Sequence, residues 1–317
     1  LEESSKLSSN ASPLIFFLTG IPGLRAAQVW ISIPFCLLYV LALSGNSLIL
    51  LVVFREQSLH EPMYYFLSML SATDLSLSLC TLSTTLGVLW FDAQEINLNA
   101  CISQMFFLHG FTFMESGVLL AMAFDRFIAI CDPLRYTTIL TNARITQIGV
   151  IMLIRIVAVM LPVVLFVKRL TFCSSLVLSH SYCYHVDLIQ LSCTDNRINS
   201  ILGLFALFST TGFDCPCILL SYILIIRSVL SIASSEERRK AFNTCVSHIS
   251  AVAIFYIPLS LSLVHRYGRS APPFVHTIMA NVFLLIPPVL NPIIYSVKTK
   301  QIRKAIIRIL FQKQSQI

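Results

Sequence analysis

The sequence predicts an all-α membrane protein: a seven-transmembrane helix bundle with a short amphipathic C-terminal helix on the inner leaflet. Three observations predict it. Hydrophobic residues make up 56% of the 317-residue chain and charged residues only 12%, against about 25% charged in soluble domains. No charged residue occurs between Arg25 and Arg55, between Lys240 and Arg266, or between Arg269 and Lys298, and about 20 apolar residues suffice to cross the bilayer core. No linker or polar module separates the apolar runs, so residues 1–317 read as a single domain.

Residues 1–28 are polar at their start and carry an N-glycosylation sequon at Asn10-Ala-Ser12, which points to an extracellular N-terminus. The helix bundle occupies 29–297, with spans at 29–54, 62–88, 98–124, 143–166, 198–226, 241–264 and 273–297. The first span is free of charge. The second contains Asp74, the third Glu115, the fourth Arg155 and the fifth Asp214. The third ends on the adjacent pair Asp125–Arg126. The sixth and seventh spans again lack charge.

Short-loop charges orient the bundle. Arg55, Arg135, Arg144, Arg227, Arg238, Arg239 and Lys240 fall on one side with the basic tail 298–317; the other side holds Lys6, Arg25, Lys168, Arg169, Arg197, Arg266 and Arg269. This bias of roughly two to one places the C-terminus in the cytoplasm. An odd number of spans then puts the N-terminus outside, in agreement with the sequon. Residues 299–312 alternate bases with Ile302, Ile306, Ile309 and Leu310 at helical spacing, the pattern of a helix lying on the leaflet surface. The net charge of +7 is therefore membrane orientation and lipid contact, not a nucleic-acid footprint. No internal repeat is visible, which argues against a transporter.

Ionisable residues inside spans are costly, so each is a functional candidate by default. Asp125–Arg126 is the most informative, an acid and a base side by side at the end of an apolar run. Arg155 and Asp214 receive no role from sequence. Of ten cysteines, Cys101 opens the third span on the outside, and Cys173, Cys183 and Cys193 lie in the loop between spans four and five. Spacing alone does not determine connectivity. A Cys101–Cys183 bond would tie the loop over the bundle mouth, and a Cys173–Cys193 bond would close a loop within it. Free thiols, or a zinc site with His180 and His185, are the alternatives. No nucleophile–base pair or metal-ligand motif stands out, so no enzyme is expected.

Several phrases together carry a resemblance: Gly45-Asn46 in span one, LHEPMYYFLSMLSATD (59–74), MAFDRFIAIC (122–131), SHSYC (179–183), Ser221-Tyr222, KAFNTCVSHIS (240–250) and Asn291-Pro292-Ile293-Ile294-Tyr295. The chain resembles a rhodopsin-like G-protein-coupled receptor over all seven spans and, within that superfamily, an olfactory receptor. LTGIPGL (18–24), His265-Arg266 and VKTKQIR (297–303) resemble class I, the fish-like group, family 51.

The resemblance implies an odorant receptor of the plasma membrane. It would bind a small volatile, with carboxylic acids one candidate class, and raise cyclic AMP through a stimulatory G protein. The switch residues implied are Asp125, Arg126, Tyr222, Asn291, Pro292 and Tyr295, with Arg126 paired to Asp125 at rest and freed toward Tyr222 and Tyr295 on activation. Asp74 and Glu115, beside Asn46 and Asn291, resemble a sodium site. Two carboxylates sharing a cavity need a cation or a proton; beyond that ion no cofactor is expected.

The ligand site is expected in the outer half of the bundle. His109 lies eight residues below Cys101, about 12 Å along a helix. His185 hangs from the loop, and Phe113, Met114, Gly117, Phe208, Tyr256, Leu259, Ser260 and Leu263 are candidate walls. Arg266 is implied as the carboxylate anchor, since a guanidinium meets a carboxylate bidentately. Here the interval from Tyr256 is one residue shorter than in the class pattern. One residue turns a helix by about 100°, so His265 is expected to share the anchor's place. Two other functions fit the same features: a metabolite chemoreceptor of the same fold outside olfactory tissue, and an ion channel or transporter using Asp74, Glu115 and Asp214.

Overall fold

The computed structural model describes residues 14–19, 28–91, 94–173, 176–232, 234–267 and 273–311; within them the side chains at 28, 29, 31, 237, 240, 243, 244, 262–267, 273–278, 310 and 311 are not described. Long helices form the predicted bundle: α1 (Gln28–Arg55), α2 (Pro62–Phe91), α3 (Leu98–Cys131), α5 (Asn142–Val167), the pair α7 (Arg197–Ser209) and α8 (Thr211–Leu230), α9 (Ser235–Tyr267) and α10 (Pro273–Lys298). Short helices α4 (Tyr136–Ile139) and α6 (His185–Gln190) lie in loops, and α11 (Lys300–Phe311) follows the last span.

Among the described residues, five segments are long and apolar enough to cross a membrane by composition alone, and Cys245–Leu261 is a shorter apolar stretch of α9. Helix α3 is not among them, and its position explains why. It packs against α2, α5, α8 and α9 and buries Gln104, Thr112, Glu115, Ser116 and Asp125. A helix surrounded by protein can carry polar groups that a lipid-facing helix cannot. The reverse holds for α5, where Ile151, Leu153, Ile154, Val157, Leu161 and Leu165 are exposed as a lipid-facing surface.

The fifth span is present at its expected place, and within it the chain breaks at Thr210, with φ −106° and ψ −86°, dividing α7 from α8. Three local causes coincide. The Thr210 hydroxyl donates back to the Ala206 carbonyl at 2.6 Å, a competition with the backbone ladder that threonine and serine favour. Pro216 lacks the N–H that would bond one turn back and crowds that turn. The Ser209 carbonyl at the break accepts from Arg155 Nη2 at 3.2 Å instead.

A three-stranded sheet caps the outer end, an addition to the all-helical expectation. β1 (Ile15–Leu18) runs antiparallel to β2 (Glu95–Asn97) and parallel to β3 (Val177–Leu178), in the order β2-β1-β3. Its alternation buries Phe16 and Leu18 against Cys101 and Cys183. Both cysteine pairings are formed: Cys101–Cys183 joins the top of α3 to the outer loop, and Cys173–Cys193 closes a loop of its own. Free thiols or zinc at these four positions are therefore set aside.

The close approach of α1 to α10 requires glycine. A Cβ at Gly45 would lie 2.9 Å from Pro292 Cγ. Helix α11 folds back toward α1 and α10. Ile302 and Ala305 are buried, Gln301 accepts a hydrogen bond from Tyr64, and Arg308 Nη1 donates to Glu56 at 2.9 Å.

Candidate functional site

A cavity of about 350 Å³ opens in the outer half of the bundle. Leu108, His109, Thr112 and Phe113 of α3 form one wall. The loop residues His180, Tyr182 and Tyr184, with His185 and Ile189 of α6, form the roof. Asn196, Ser200, Gly203, Leu204, Leu207 and Thr211 line the fifth span, and Leu259, Ala280, Phe283 and Leu284 close the far side. Apolar walls with few polar groups are the usual build of a small-molecule site.

Of the expected wall residues, His109, Phe113, His185 and Leu259 line this cavity. The others described do not. Phe208 is 67% exposed on the outside of α7. Gly117 faces Met152 of α5. Met114 packs into the apolar core between two clusters. Tyr256 is bonded to Ser116 below the cavity, and Ser260 is exposed and donates to the Tyr256 carbonyl. The side chains of Leu263, His265 and Arg266 lie outside the described residues, as does Asn10.

Of the roof, sequence reading named His185 and left out His180, Tyr182, Tyr184 and Ile189. His180 Nδ1 meets Asp187 Oδ2 at 2.5 Å with both side chains buried, and the rings of His180, Tyr182 and Tyr184 pack on one another and on His109. The signal was present in 180–184, where aromatic or imidazole side chains recur at every second residue beside the disulfide cysteine. His185 approaches α7 because Gly203 leaves room: a Cβ there would lie 2.8 Å from the His185 ring.

Below the cavity, Arg155 and Asp214 answer each other. Arg155 Nη1 and Nη2 donate to the two carboxylate oxygens of Asp214 at 2.9 and 3.0 Å. Ser116 donates to Asp214 Oδ2 at 2.8 Å, and Tyr256 lies 2.9 Å from the same hydroxyl. Asp214 also sits in the first turn of α8, where the helix dipole favours an anion. The network ties α3, α5, α8 and α9 together at the level of the helix break.

One layer further in, Asn291 Nδ2 donates to Asp74 Oδ2 at 3.0 Å, while Asn46 Nδ2 donates to the Pro288 carbonyl at 2.7 Å. Asp74 Oδ1, Glu115 Oε1, Asn46 Oδ1 and Asn291 Oδ1 are buried without a protein hydrogen bond. Among the described residues no group of three His, Cys, Asp or Glu could hold a metal ion. These oxygens are a hard-donor set of two carboxylates and two amides, and such donors suit hard cations.

At the inner end, Arg126 Nε donates to Asp125 Oδ2 at 2.7 Å and Nη2 donates to the same oxygen. Tyr136 of α4 donates to Asp125 Oδ1 at 2.7 Å. Burial, then the neighbouring Asp125 carboxylate, raises the Tyr136 phenol above its ordinary pKa, which keeps it a donor. Tyr222 is bonded to His248 and Tyr295 to the Met122 sulfur at 4.0 Å, so neither tyrosine holds Arg126 here. Arg126, Met122, Ser247, His248 and Tyr295 face a second cavity, of about 400 Å³, at this end.

Comparison with known proteins agrees with this arrangement. A family profile described as "Olfactory receptor" matches residues 35–313. The chain belongs to the olfactory receptor family. Olfactory receptor 51F2 of Homo sapiens is 87% identical over 306 residues, covering 96% of this chain and 90% of the relative. Olfactory receptor 51F1 of Homo sapiens is 66% identical over 315 residues, covering 98% and 99%. The crystal structure of squid rhodopsin superposes with a TM-score of 0.73 at 17% identity, over 92% of this chain and 87% of that one. That likeness shows the rhodopsin-like fold. The olfactory receptor chain is thus a multi-pass receptor of the plasma membrane and not an enzyme.

Proposed function

We propose that this receptor binds a small volatile molecule in the outer cavity and activates a stimulatory G protein to raise cyclic AMP, with its N-terminus outside and its C-terminus in the cytoplasm. The observation that carries the proposal is the separation of two sites along α3. A mostly apolar cavity with histidine and threonine anchors surrounds His109 and Phe113, and the Asp125–Arg126–Tyr136 cluster lies some 25 Å away by helix rise. A ligand with different affinity for two bundle arrangements shifts their populations, and the Arg155–Asp214–Ser116–Tyr256 network lies between the two levels.

Activation frees Arg126 from Asp125 toward Tyr222 and Tyr295, with the turn around Pro292 and Asn291 as the hinge. Asp74, Glu115, Asn46 and Asn291 hold a sodium ion or a shared proton in the resting bundle. Carboxylic acids are the first ligand class, with Arg266 and His265 as their anchor.

The test is a cyclic-AMP screen of acids, alcohols and aldehydes across chain lengths. Arg126→Ala is expected to abolish signalling while ligand binding persists. Ligand-driven ion flux that survives this substitution would overturn the receptor reading in favour of a channel or transporter. Arg266→Ala is expected to weaken responses to acids more than to alcohols of equal length; equal losses would remove the ionic anchor.

A further inference from the structure

Buried hydroxyls in this bundle commonly donate back along their own helix. Thr73, Ser78, Thr81 and Thr112 each donate to the carbonyl four residues earlier, at 2.9, 2.8, 3.2 and 2.9 Å. That bond needs an unbroken turn before the residue. Thr211 lacks one. It is the first residue of α8, directly after the break at Thr210, whose own hydroxyl donates to the Ala206 carbonyl. Thr211 is 8% exposed, and its Oγ1 has no hydrogen-bond partner among the described residues.

The same residue lines the outer cavity. Along span five the lining runs from Asn196 to Thr211, and the span descends from the outer loop, so Thr211 is the innermost member of that wall. Thr112, the other threonine of the cavity, has its hydroxyl on the Leu108 carbonyl. The N-terminus of the 20-residue α8 adds the positive end of its dipole beside the Thr211 hydroxyl.

A hydroxyl donor and a helix N-terminus suit an acceptor oxygen, and the neighbours decide its charge. Asp214 follows three residues later, about 4.5 Å by helix rise, and Arg155 already binds both of its oxygens. No Lys or Arg is among the described residues that line the cavity. A carboxylate buried at Thr211 would lack a cation of its own and lie close to a second anion, which is costly. A neutral carbonyl oxygen meets neither penalty.

We infer that Thr211 is the innermost polar subsite for the ligand, and that its hydroxyl donates to the neutral carbonyl oxygen of a ketone, aldehyde or ester. The inference rests on the outer cavity being the ligand site. A carboxylic acid bound in this cavity places its carboxylate elsewhere.

The experiment titrates the full-length receptor in lipid nanodiscs with aliphatic methyl ketones, read by ligand-observed NMR with empty nanodiscs as the blank. The matched controls are alkenes in which a methylene replaces the carbonyl oxygen. Thr211→Val keeps the shape and removes the hydroxyl, whereas Thr211→Ser keeps the hydroxyl. A buried carbonyl left without its donor costs about 5- to 50-fold in affinity, the loss expected for the ketones in Thr211→Val. Thr211→Ser should stay within about threefold of the parent, and the alkenes should bind the parent and both variants within about twofold of one another. The ligand-free melting temperature of Thr211→Val should be unchanged or higher, because an unpaired buried hydroxyl has become a methyl.

Unchanged ketone affinity in Thr211→Val overturns the inference, as does failure of every ketone to bind the parent. An equal loss for ketones and alkenes overturns it too, and so does a loss in Thr211→Ser as large as in Thr211→Val, because shape rather than the hydroxyl is then recognised. A lower ligand-free melting temperature in Thr211→Val would show that the hydroxyl is already bonded at rest, which also counts against it. Failure of the underlying reading shows separately. Leu207→Trp fills the cavity from the α7 wall; ketones that bind this variant as they bind the parent occupy another site, whatever Thr211→Val gives.

Discussion

Replacing Arg155 by methionine tests the middle network most directly. Asp214 is fully buried and accepts from Arg155 at 2.9 and 3.0 Å and from Ser116 at 2.8 Å. Arg155 is 27% exposed and also takes the Ser209 carbonyl at the helix break. Methionine fills much of the space but leaves Asp214 without its cation. Stripping one partner from a buried pair costs about 3–5 kcal/mol, and at a few degrees per kcal/mol for a chain of this size the melting temperature should fall by roughly 5–15 °C. Asp214→Asn should cost less, because the partly exposed Arg155 can turn to water or headgroups. The double change Arg155→Met with Asp214→Leu should recover most of the loss, since apolar residues of similar volume replace buried pairs at little cost. The assay is thermal unfolding of the purified receptor in detergent for all three variants. If Arg155→Met melts within about 2 °C of the parent, the pair does not hold the network. If the double variant is worse than either single, the argument from an unpaired buried charge is wrong.

Other outcomes follow from contacts already described. Gly45→Val should cut surface expression sharply, because even a Cβ meets Pro292 at 2.9 Å and the neighbour is a rigid ring; flow cytometry of tagged receptor measures it, and parent-level expression would show that α1 can shift. Gly203→Ala should weaken ligand responses about tenfold with expression retained, since its Cβ displaces the His185 ring from the cavity roof; concentration–response curves for the screen's hits decide it. Cys101→Ser should lower stability by about 2–5 kcal/mol, as loss of native disulfides commonly does, read as lost surface receptor that low temperature partly restores. Asp74→Asn should abolish any sodium dependence of melting temperature while the Asn291 contact persists; a sodium shift that survives in this variant would remove Asp74 from the ion site.

Much of the bundle was legible because a bilayer imposes a coarse rule. Any run of about 20 apolar residues must span, so the positions of the spans follow from where charge stops and resumes. The rule is blind to what happens inside a span. The break at Thr210 depends on a hydroxyl, a proline and a donor from another helix acting together, and hydropathy averages over all three. The cavity wall was legible along α3, where a fixed rise carries His109 and Phe113 down from Cys101. It was not legible along span five: within α7, Phe208 is exposed on the outside while Gly203, Leu204 and Leu207 line the cavity, and an apolar span of uniform composition does not say which of its faces turns in.

The sequence by itself determined the class of the molecule, its seven spans, the amphipathic α11 and the adjacent charges Asp125 and Arg126 at the end of an apolar run, all of them properties of composition or of neighbours in the chain. The tertiary structure decided which polar groups meet. Arg155 and Asp214 are 59 residues apart and bind only because α5 and α8 pack side by side. The Tyr136 hydroxyl reaches Asp125 only because the turn at Pro133 folds the loop back beneath α3. A buried charge announces that it needs a partner; only the packing of helices says which one it has.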